Sequence, residues 1–247
     1  MITPADLKVK IFADGADLEG IKAMYAKPWI KGFTTNPTLM RKASVSNYKR
    51  FALEVLQAVP DRPVSFEVLA DDFDEMELQA LEIASWGANI YVKIPVTNTR
   101  RHFSGPLIRR LAQAGVRVNV TAVLTLEQVR DITEHLESDT PALISIFAGR
   151  IADTGVDPVP VMREALKAMR VRPKAELIWA SPREVLNIIQ ADEIGCHIIT
   201  VTNDILDKIP LLGKAHDQYS LETVQMFYRD AAAAGYSIPV APPARVV

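Results

Sequence analysis

Eight short segments rich in β-branched and aromatic residues recur along the chain, with helical segments between them. They are residues 8–13, 30–34, 62–68, 89–94, 117–122, 142–147, 176–180 and 197–201. Each is short enough for a buried strand, and strands that alternate with helices form a parallel sheet. Eight βα units favour a closed α/β (TIM, (β/α)8) barrel over an open doubly wound sheet. The glycine-rich phosphate loops typical of the open sheet, GxGxxG and GxxxxGK[ST], do not occur in the sequence.

Local signals mark where two of the helices begin and end. Thr125, with Gln128 three residues later, predicts a capping box at a helix start. Gly115 is expected to end the helix before it. After the eighth strand we expect a short helix at 203–209 and a terminal helix at 221–234.

The length of 247 residues suits one domain. We predict a single domain over 1–247, with the barrel at about 8–212 and a C-terminal helix and tail at about 219–247. The tail at 241–244 is expected to be loose. The apolar residues of the terminal helix favour a homo-oligomer contact, and the alternative is a cap over the barrel's own surface.

Charge and composition exclude several classes of protein. The net charge of −2 gives no reason to expect a nucleic-acid or anionic-membrane partner. No apolar stretch approaches the roughly 18 residues of a membrane span, and no signal peptide is recognisable. The single cysteine excludes an intrachain disulfide. Proteins without disulfides are typical of a reducing compartment. We therefore expect a cytoplasmic protein.

Polar residues stand where the barrel interior should be apolar. Side chains alternate between the two faces of a strand, so the outward apolar set of each strand identifies the inward set. Active sites of such barrels lie at the C-terminal ends of the strands, and buried polar groups are costly unless they pair or bind a ligand. Any one of these residues alone could belong to a turn, but together they predict an active site. The inward polar set is Asp14, Asn36, Glu67, Lys93, Asn119, Thr121 and Ser145.

Lys93 is the most unusual member of this set, because lysine is rarely fully buried. One interpretation is an ion pair with Glu67 or Asp14 as a fixture of the core. The other is a desolvated amine whose lowered pKa makes it nucleophilic, so that it attacks a ketone and forms an imine. In that chemistry Asp14 would take the proton of a sugar hydroxyl, and Glu67 with Thr121 would hold a water. Substrate hydroxyls would bind to Asn36, Asn119 and Ser145.

A phosphate site is predicted beside the seventh strand. Ser181, with Glu184 three residues later, predicts a capped helix start there, and such starts attract anions. Arg183 and Arg150 add two cations from neighbouring loops. The alternative for Arg150 is a surface ion pair with Asp153, which would contribute little to the stability of the fold.

Metal chemistry is not expected. None of the four histidines has HxH or HxxxH spacing. Cys196 beside the eighth strand is interpreted as a small buried hydrophobe. We predict neither a metal nor another cofactor.

These stretches resemble the transaldolase family, which includes short bacterial members and fructose-6-phosphate aldolases. The resemblance rests on six motifs that run in family order over nearly the whole barrel. They are FAD at 12–14, GFTTNPT at 32–38, YVKIP at 91–95, NVTA at 119–122, ISIFAGR at 144–150 and ASPR at 180–183.

The resemblance implies a ketose phosphate donor, an aldose phosphate acceptor, no cofactor and a place in the pentose phosphate pathway. It implies that a dihydroxyacetone unit is held on Lys93, with Asp14 as acid/base and Glu67 and Thr121 holding water. Its substrate-binding positions match Thr34, Asn36, Asn119, Ser145 and Phe147, and its phosphate-binding positions match Arg150, Ser181 and Arg183.

Within the family, Glu67 and Phe147 are typical of transaldolases, whereas the aldolase subgroup carries Gln and Tyr. An aldolase that releases free dihydroxyacetone is the first alternative, and a catalytically silent sugar-phosphate-binding barrel is the second. Gly15 and Ile146 depart from the family pattern. Trp179 and the loop 102–104 are candidates to reshape the substrate site.

Overall fold

The computed structural model describes residues 3–240 of the chain, which form two compact units. One unit is Thr3–Pro210, and the other begins at Leu211. The first unit is a closed barrel in which eight parallel strands follow one another in chain order. The predicted TIM barrel is thereby confirmed, whereas the single-domain assignment over 1–247 stays a prediction.

Each strand lies within two residues of its predicted position. Their side chains alternate between the barrel interior and the surrounding helices, as strand geometry requires. The strands are β1 (Lys10–Asp14), β2 (Ile30–Thr34), β3 (Val64–Glu67), β4 (Ile90–Pro95), β5 (Val118–Val123), β6 (Ala142–Ile146), β7 (Ala175–Trp179) and β8 (Ile198–Thr202).

The helices cover the outside of the barrel and connect its strands. Those of the first unit are α1 (Leu18–Tyr25), α2 (Pro37–Lys42), α3 (Tyr48–Ala58), α4 (Phe73–Ser85), α5 (Gly105–Gln113), α6 (Leu126–His135), α7 (Ala148–Asp153), α8 (Val159–Ala168), α9 (Leu186–Glu193) and α10 (Asn203–Leu206). Short 3-10 helices lie at Met169–Val171 and Ile209–Leu211.

The predicted helix signals are present at two positions. Thr125 and Gln128 form the reciprocal capping box at the start of α6. Gly115 follows α5 with a φ of 78°, a left-handed conformation that glycine adopts at little cost. The predicted helix at 203–209 is shorter than expected, because α10 ends at Leu206.

The predicted helix start at Ser181 is wrong. Ser181 has a left-handed φ of 60°, and α9 begins only at Leu186. The side-chain oxygen of Asn187 accepts the N–H groups of Arg183 and Glu184, at 2.8 and 3.2 Å. Asn187 therefore caps this turn in place of Ser181.

A plug of apolar side chains fills the barrel interior below the C-terminal strand ends. The open cavity therefore lies above the plug, at the end where barrel enzymes have their active sites. The plug consists of Phe12, Leu143, Ile178, Ala180 and Ile198, with Tyr91 and Phe147 packed against it.

The second unit contains α11 (His216–Ala233), which begins earlier than predicted and is followed by Gly235 at a φ of 68°. No residue of α11 is buried. Its exposed apolar side chains include Leu221, Val224, Met226, Phe227 and Tyr228. The tail predicted at 241–244 lies outside the described residues. Within 3–240, no helix combines the length and apolarity needed to cross a membrane.

Candidate active site

A cavity of about 650 Å³ opens at the C-terminal ends of the strands. Its floor comes from the strand ends, and its rim comes from the loops after β6 and β7 and from α10. Eleven of the twelve residues predicted for the site line it. They are Asp14, Thr34, Asn36, Glu67, Lys93, Thr121, Ser145, Phe147, Arg150, Ser181 and Arg183.

Lys93 lies on β4, in register with Glu67 of β3 and Asn119 of β5. Its side chain is 7% exposed, and Nζ lies 2.9 Å from Glu67 Oε2. Nζ also donates a 2.9 Å hydrogen bond to the backbone oxygen of Thr35. These contacts hold the amine at the cavity floor, where a bound ketone could reach it.

Asp14 ends β1 and shares the floor with Lys93. Burial is the largest influence on this carboxyl and raises its pKa, although the charge of Lys93 and a hydrogen bond from Thr34 oppose the shift. The Thr34 hydroxyl donates to Asp14 Oδ1 at 2.7 Å. Thr34 has only one hydroxyl proton, so the Thr200 hydroxyl donates to Thr34 in turn. A carboxyl with a raised pKa is suited to accept and return a proton.

The Thr121 hydroxyl is buried and has no hydrogen-bond partner among the described residues. Ala122 follows with a left-handed φ of 61°, where the register between β5 and β6 shifts. Buried polar groups are almost always hydrogen-bonded, and one beside a polar cavity is a natural site for an ordered water. The geometry therefore suits a water held beside Lys93.

Tyr48 of α3 fixes Glu67 from outside the barrel. Its hydroxyl donates to the Glu67 backbone oxygen and accepts the Glu67 N–H, both at 2.7 Å. Burial raises the pKa of Tyr48, so the hydroxyl keeps its proton. Edge-to-face contacts with Phe66 and Trp86, at ring distances of 6.3 and 5.8 Å, hold the tyrosine ring.

Asn119 is the predicted site residue that does not line the cavity. It is 0% exposed, and its amide donates to Ser65 Oγ at 3.0 Å. Its side-chain oxygen accepts a 2.7 Å hydrogen bond from Ser145, which does line the cavity. Asn119 therefore orients Ser145 from below. Asn36 reaches the cavity, and its oxygen also caps α2 by accepting the N–H of Leu39 at 3.0 Å.

The two arginines at the rim have different surroundings. Arg183 forms a bidentate pair with Asp153, in which Nε lies 2.8 Å from Oδ1 and Nη2 contacts Oδ2. Its Nη1 donates to Ser181 Oγ at 3.0 Å. Arg150 lies over the ring of Phe147, 5.4 Å from its centre, and makes no ion pair within 3–240. The alternative Arg150–Asp153 pair is therefore not formed, because Asp153 binds Arg183.

Several lining residues were not predicted, and some could have been. β8 carries Ile198 in the interior plug, so the alternation along the strand also turns Thr200 and Thr202 inward. Asp204 follows in α10 and lies at the rim. No sequence signal marked Thr35, whose contribution is a backbone oxygen.

Trp179 and the loop 102–104 do not line the cavity. Trp179 is fully buried on the outward face of β7, and its indole N–H has no partner among the described residues. Phe103 packs edge-on against His135, at 5.3 Å between ring centres.

Metal ligands and reactive thiols are the other groups that could add chemistry. Within 3–240, no group of three or more His, Cys, Asp or Glu side chains is arranged to hold a metal ion. Cys196 is buried, and burial raises the pKa of its thiol to about 12. A thiol this weakly acidic is a poor nucleophile, so Lys93 is the stronger candidate.

Comparisons with known proteins agree with this geometry. A family model described as "Transaldolase/Fructose-6-phosphate aldolase" matches residues 11–238. A "Probable transaldolase" from Dehalococcoides mccartyi is 34% identical over 199 residues, which are 80% of this chain and 88% of that protein. Another from Herpetosiphon aurantiacus is 29% identical over 223 residues, covering 88% and 96%.

Among solved structures, a thiamine phosphate pyrophosphorylase from Pyrococcus furiosus superposes with a TM-score of 0.54. It is 10% identical and covers 79% of this chain and 86% of its own. At this identity the likeness concerns the fold alone.

Proposed function

Because the chain belongs to the transaldolase/fructose-6-phosphate aldolase family, we propose that it is a transaldolase that acts through a Schiff base on Lys93. It transfers a dihydroxyacetone unit from a ketose phosphate to an aldose phosphate. The observation that carries the proposal is the Lys93 amine, which is held at the floor of an open cavity beside Glu67 and Asp14.

The first step joins the substrate to Lys93. The amine attacks the ketone carbon, the carbonyl oxygen leaves as water, and the nitrogen keeps one proton as a cationic imine. Glu67 lies at 2.9 Å from Nζ and relays protons between the amine and the departing oxygen. The Thr121 hydroxyl supports this relay by holding the water between them.

The second step breaks a carbon–carbon bond. Asp14 takes the proton of the substrate hydroxyl next to the bond, the aldehyde leaves, and the bond electrons move into the imine to form an enamine. The acceptor aldehyde then adds to the enamine, and Asp14 returns the proton to the new alkoxide. Water hydrolyses the resulting imine, which releases the product ketose and regenerates the Lys93 amine. No external acid, base or oxidant is consumed over the two half-reactions.

The phosphate group of both sugars binds at the rim, where Arg150 and Arg183 supply positive charge and Ser181 supplies a hydroxyl. Asp153 already compensates the charge of Arg183, so Arg150 contributes most of the uncompensated charge. Ser145 and Asn36 line the cavity between the rim and Lys93 and bind sugar hydroxyls.

Borohydride trapping tests the proposal. The protein is incubated with fructose 6-phosphate, reduced and mapped by mass spectrometry, and we expect a three-carbon adduct on Lys93. Lys10 is the matched internal control, since it also lies on a barrel strand, where it pairs with Glu176. An adduct elsewhere, or none with any ketose phosphate, would contradict the proposal.

Acceptor dependence separates the two family activities. A transaldolase releases glyceraldehyde 3-phosphate steadily only when an aldose phosphate such as erythrose 4-phosphate is supplied. Rapid net cleavage without an acceptor would identify an aldolase. Binding of fructose 6-phosphate with neither a trapped adduct nor turnover would leave only the catalytically silent sugar-phosphate-binding barrel.

We also propose that the protein is cytoplasmic and that α11 joins copies of the chain into a homo-oligomer. The exposed apolar side chains of α11, such as Phe227 and Tyr228, support this proposal, because the same apolar surface on a second copy of the chain could cover them. Light scattering of the full chain and of a Phe227→Glu variant tests this. A monomeric wild type would contradict it.

A further inference from the structure

Gly149, in the first turn of α7, has no space for a side chain. A Cβ on this residue would lie 1.6 Å from the backbone oxygen of Ser181 and 2.7 Å from its backbone carbon. Real Cβ atoms essentially never approach closer than 3.0 Å. Gly149 is buried, and its N–H donates to the backbone oxygen of Ala180 at 3.4 Å. The helix and the loop after β7 are therefore in direct backbone contact, which glycine permits.

The loop opposite Gly149 has an uncommon backbone conformation. Ser181 has a φ of 60°, which residues other than glycine keep only when the surrounding structure holds them there. The contact with Gly149 fixes the position of the Ser181 carbonyl. The Ser181 hydroxyl then accepts the Arg183 hydrogen bond, and both side chains line the cavity.

We propose that Gly149 is a positioning residue for the phosphate-binding end of the site. Its missing side chain lets Ser181 approach α7 in the left-handed conformation. That approach places Ser181 and Arg183 on the same rim as Arg150, the chain neighbour of Gly149. The inference rests on the proposed function, because it takes these three residues to bind the substrate phosphate.

Substitution by alanine should displace this loop. A methyl group at 149 requires the Ser181 carbonyl or α7 to move by more than an ångström to reach an ordinary contact distance. Loss of one hydrogen bond to a charged group weakens binding by about 10- to 150-fold. The amine of Lys93 lies on a different strand, so imine formation with free dihydroxyacetone, which carries no phosphate, should not depend on this movement.

The experiment compares Gly149→Ala with wild type and with Gly87→Ala. Gly87 is a matched control, because its Cβ would meet only side-chain atoms, the nearest at 3.3 Å on Leu56. Two quantities are measured on the full chain. One is the dissociation constant of inorganic phosphate, by calorimetry, and the other is the rate at which borohydride traps free dihydroxyacetone, which carries no phosphate, on Lys93.

We expect Gly149→Ala to weaken phosphate binding at least about 30-fold and to change the trapping rate less than about threefold, whereas Gly87→Ala changes neither. Unchanged phosphate binding, or a parallel loss of both quantities, would overturn the inference. A wild type that traps no adduct contradicts the proposed function instead, and phosphate binding still decides the role of Gly149.

A second variant keeps the test decisive. Glycine at 181 lets the carbonyl turn away from a methyl group at 149. Gly149→Ala should therefore weaken phosphate binding much less in a Ser181→Gly background than in the wild-type background. An equal loss in both backgrounds would overturn the inference. If Gly149→Ala alone does not fold, recovery of folded protein in the double variant supports the inference, and failure to recover overturns it.

Discussion

Replacing Lys93 by methionine should destabilise the barrel as well as abolish activity. Removal of one partner of a buried ion pair costs about 3–5 kcal/mol, because a buried charge is left uncompensated. The Glu67 side chain keeps 19% exposure, so we take the lower end, about 3 kcal/mol. For a chain of this size that corresponds to a fall in melting temperature of about 6–12 °C.

The loss should depend on pH. Burial raises the pKa of Asp14, and a group with a raised native pKa stabilises the fold as pH falls. Without Lys93, the Asp14 carboxyl loses the positive charge that lowers its pKa, so it takes up a proton more readily as the pH is lowered. The deficit of Lys93→Met should therefore shrink toward low pH.

Thermal unfolding of Lys93→Met and two controls measures this. Lys10→Met breaks a half-exposed pair, with side chains 42% and 32% exposed, and should cost about 1 kcal/mol or less. Glu67→Gln with Lys93→Met removes both charges and should recover most of the loss. A Lys93→Met variant that melts within about 3 °C of wild type at high pH, or a double variant as unstable as the single one, would contradict a stabilising role for this ion pair.

Three further outcomes are expected. Thr34→Val should move the acid limb of the pH–rate profile to higher pH, because it removes a hydrogen bond that lowers the pKa of Asp14. Thr34→Ser keeps the hydroxyl and should leave the acid limb in place. Trp179→Phe should change the free energy of unfolding in urea by less than about 1 kcal/mol, because removal of an unpartnered N–H offsets the lost side-chain volume. A loss above about 2 kcal/mol would indicate that the indole N–H has a hydrogen-bond partner. Thr125→Ala should lower the free energy of unfolding by about 1 kcal/mol without changing kcat, and an unchanged urea midpoint would contradict the role of the cap.

The strand pattern was sufficient to predict the barrel and most of the floor of the site. Period-two alternation determines which face of a strand a residue occupies, so the sequence alone groups Lys93, Glu67 and Asp14. The same alternation does not specify height within the barrel. Asn119 was predicted on the correct face, yet it lies one layer below the cavity, under Ser145.

The rim was harder to predict, because its geometry depends on contacts distant in sequence. Ser181 followed by proline and glutamate has the local pattern of a helix cap, and the left-handed conformation is rare for serine. Asn187 and the contact with Gly149 override the local preference. No sequence pattern indicates that the hydroxyl of Tyr48, at the start of α3, binds a strand end.

Through the hydroxyl of Tyr48, the outer helix layer of the barrel contributes directly to the geometry of the active site. Tyr48 holds both backbone groups of Glu67, so α3 cannot be exchanged for any helix of equal length and apolarity. A chimaera that takes this helix from another barrel would keep its core and lose the support of Glu67, the carboxylate that we propose relays protons. Conversely, substitutions at Phe66 and Trp86, which pack against Tyr48, should shift the position of Glu67 without changing a residue that lines the cavity.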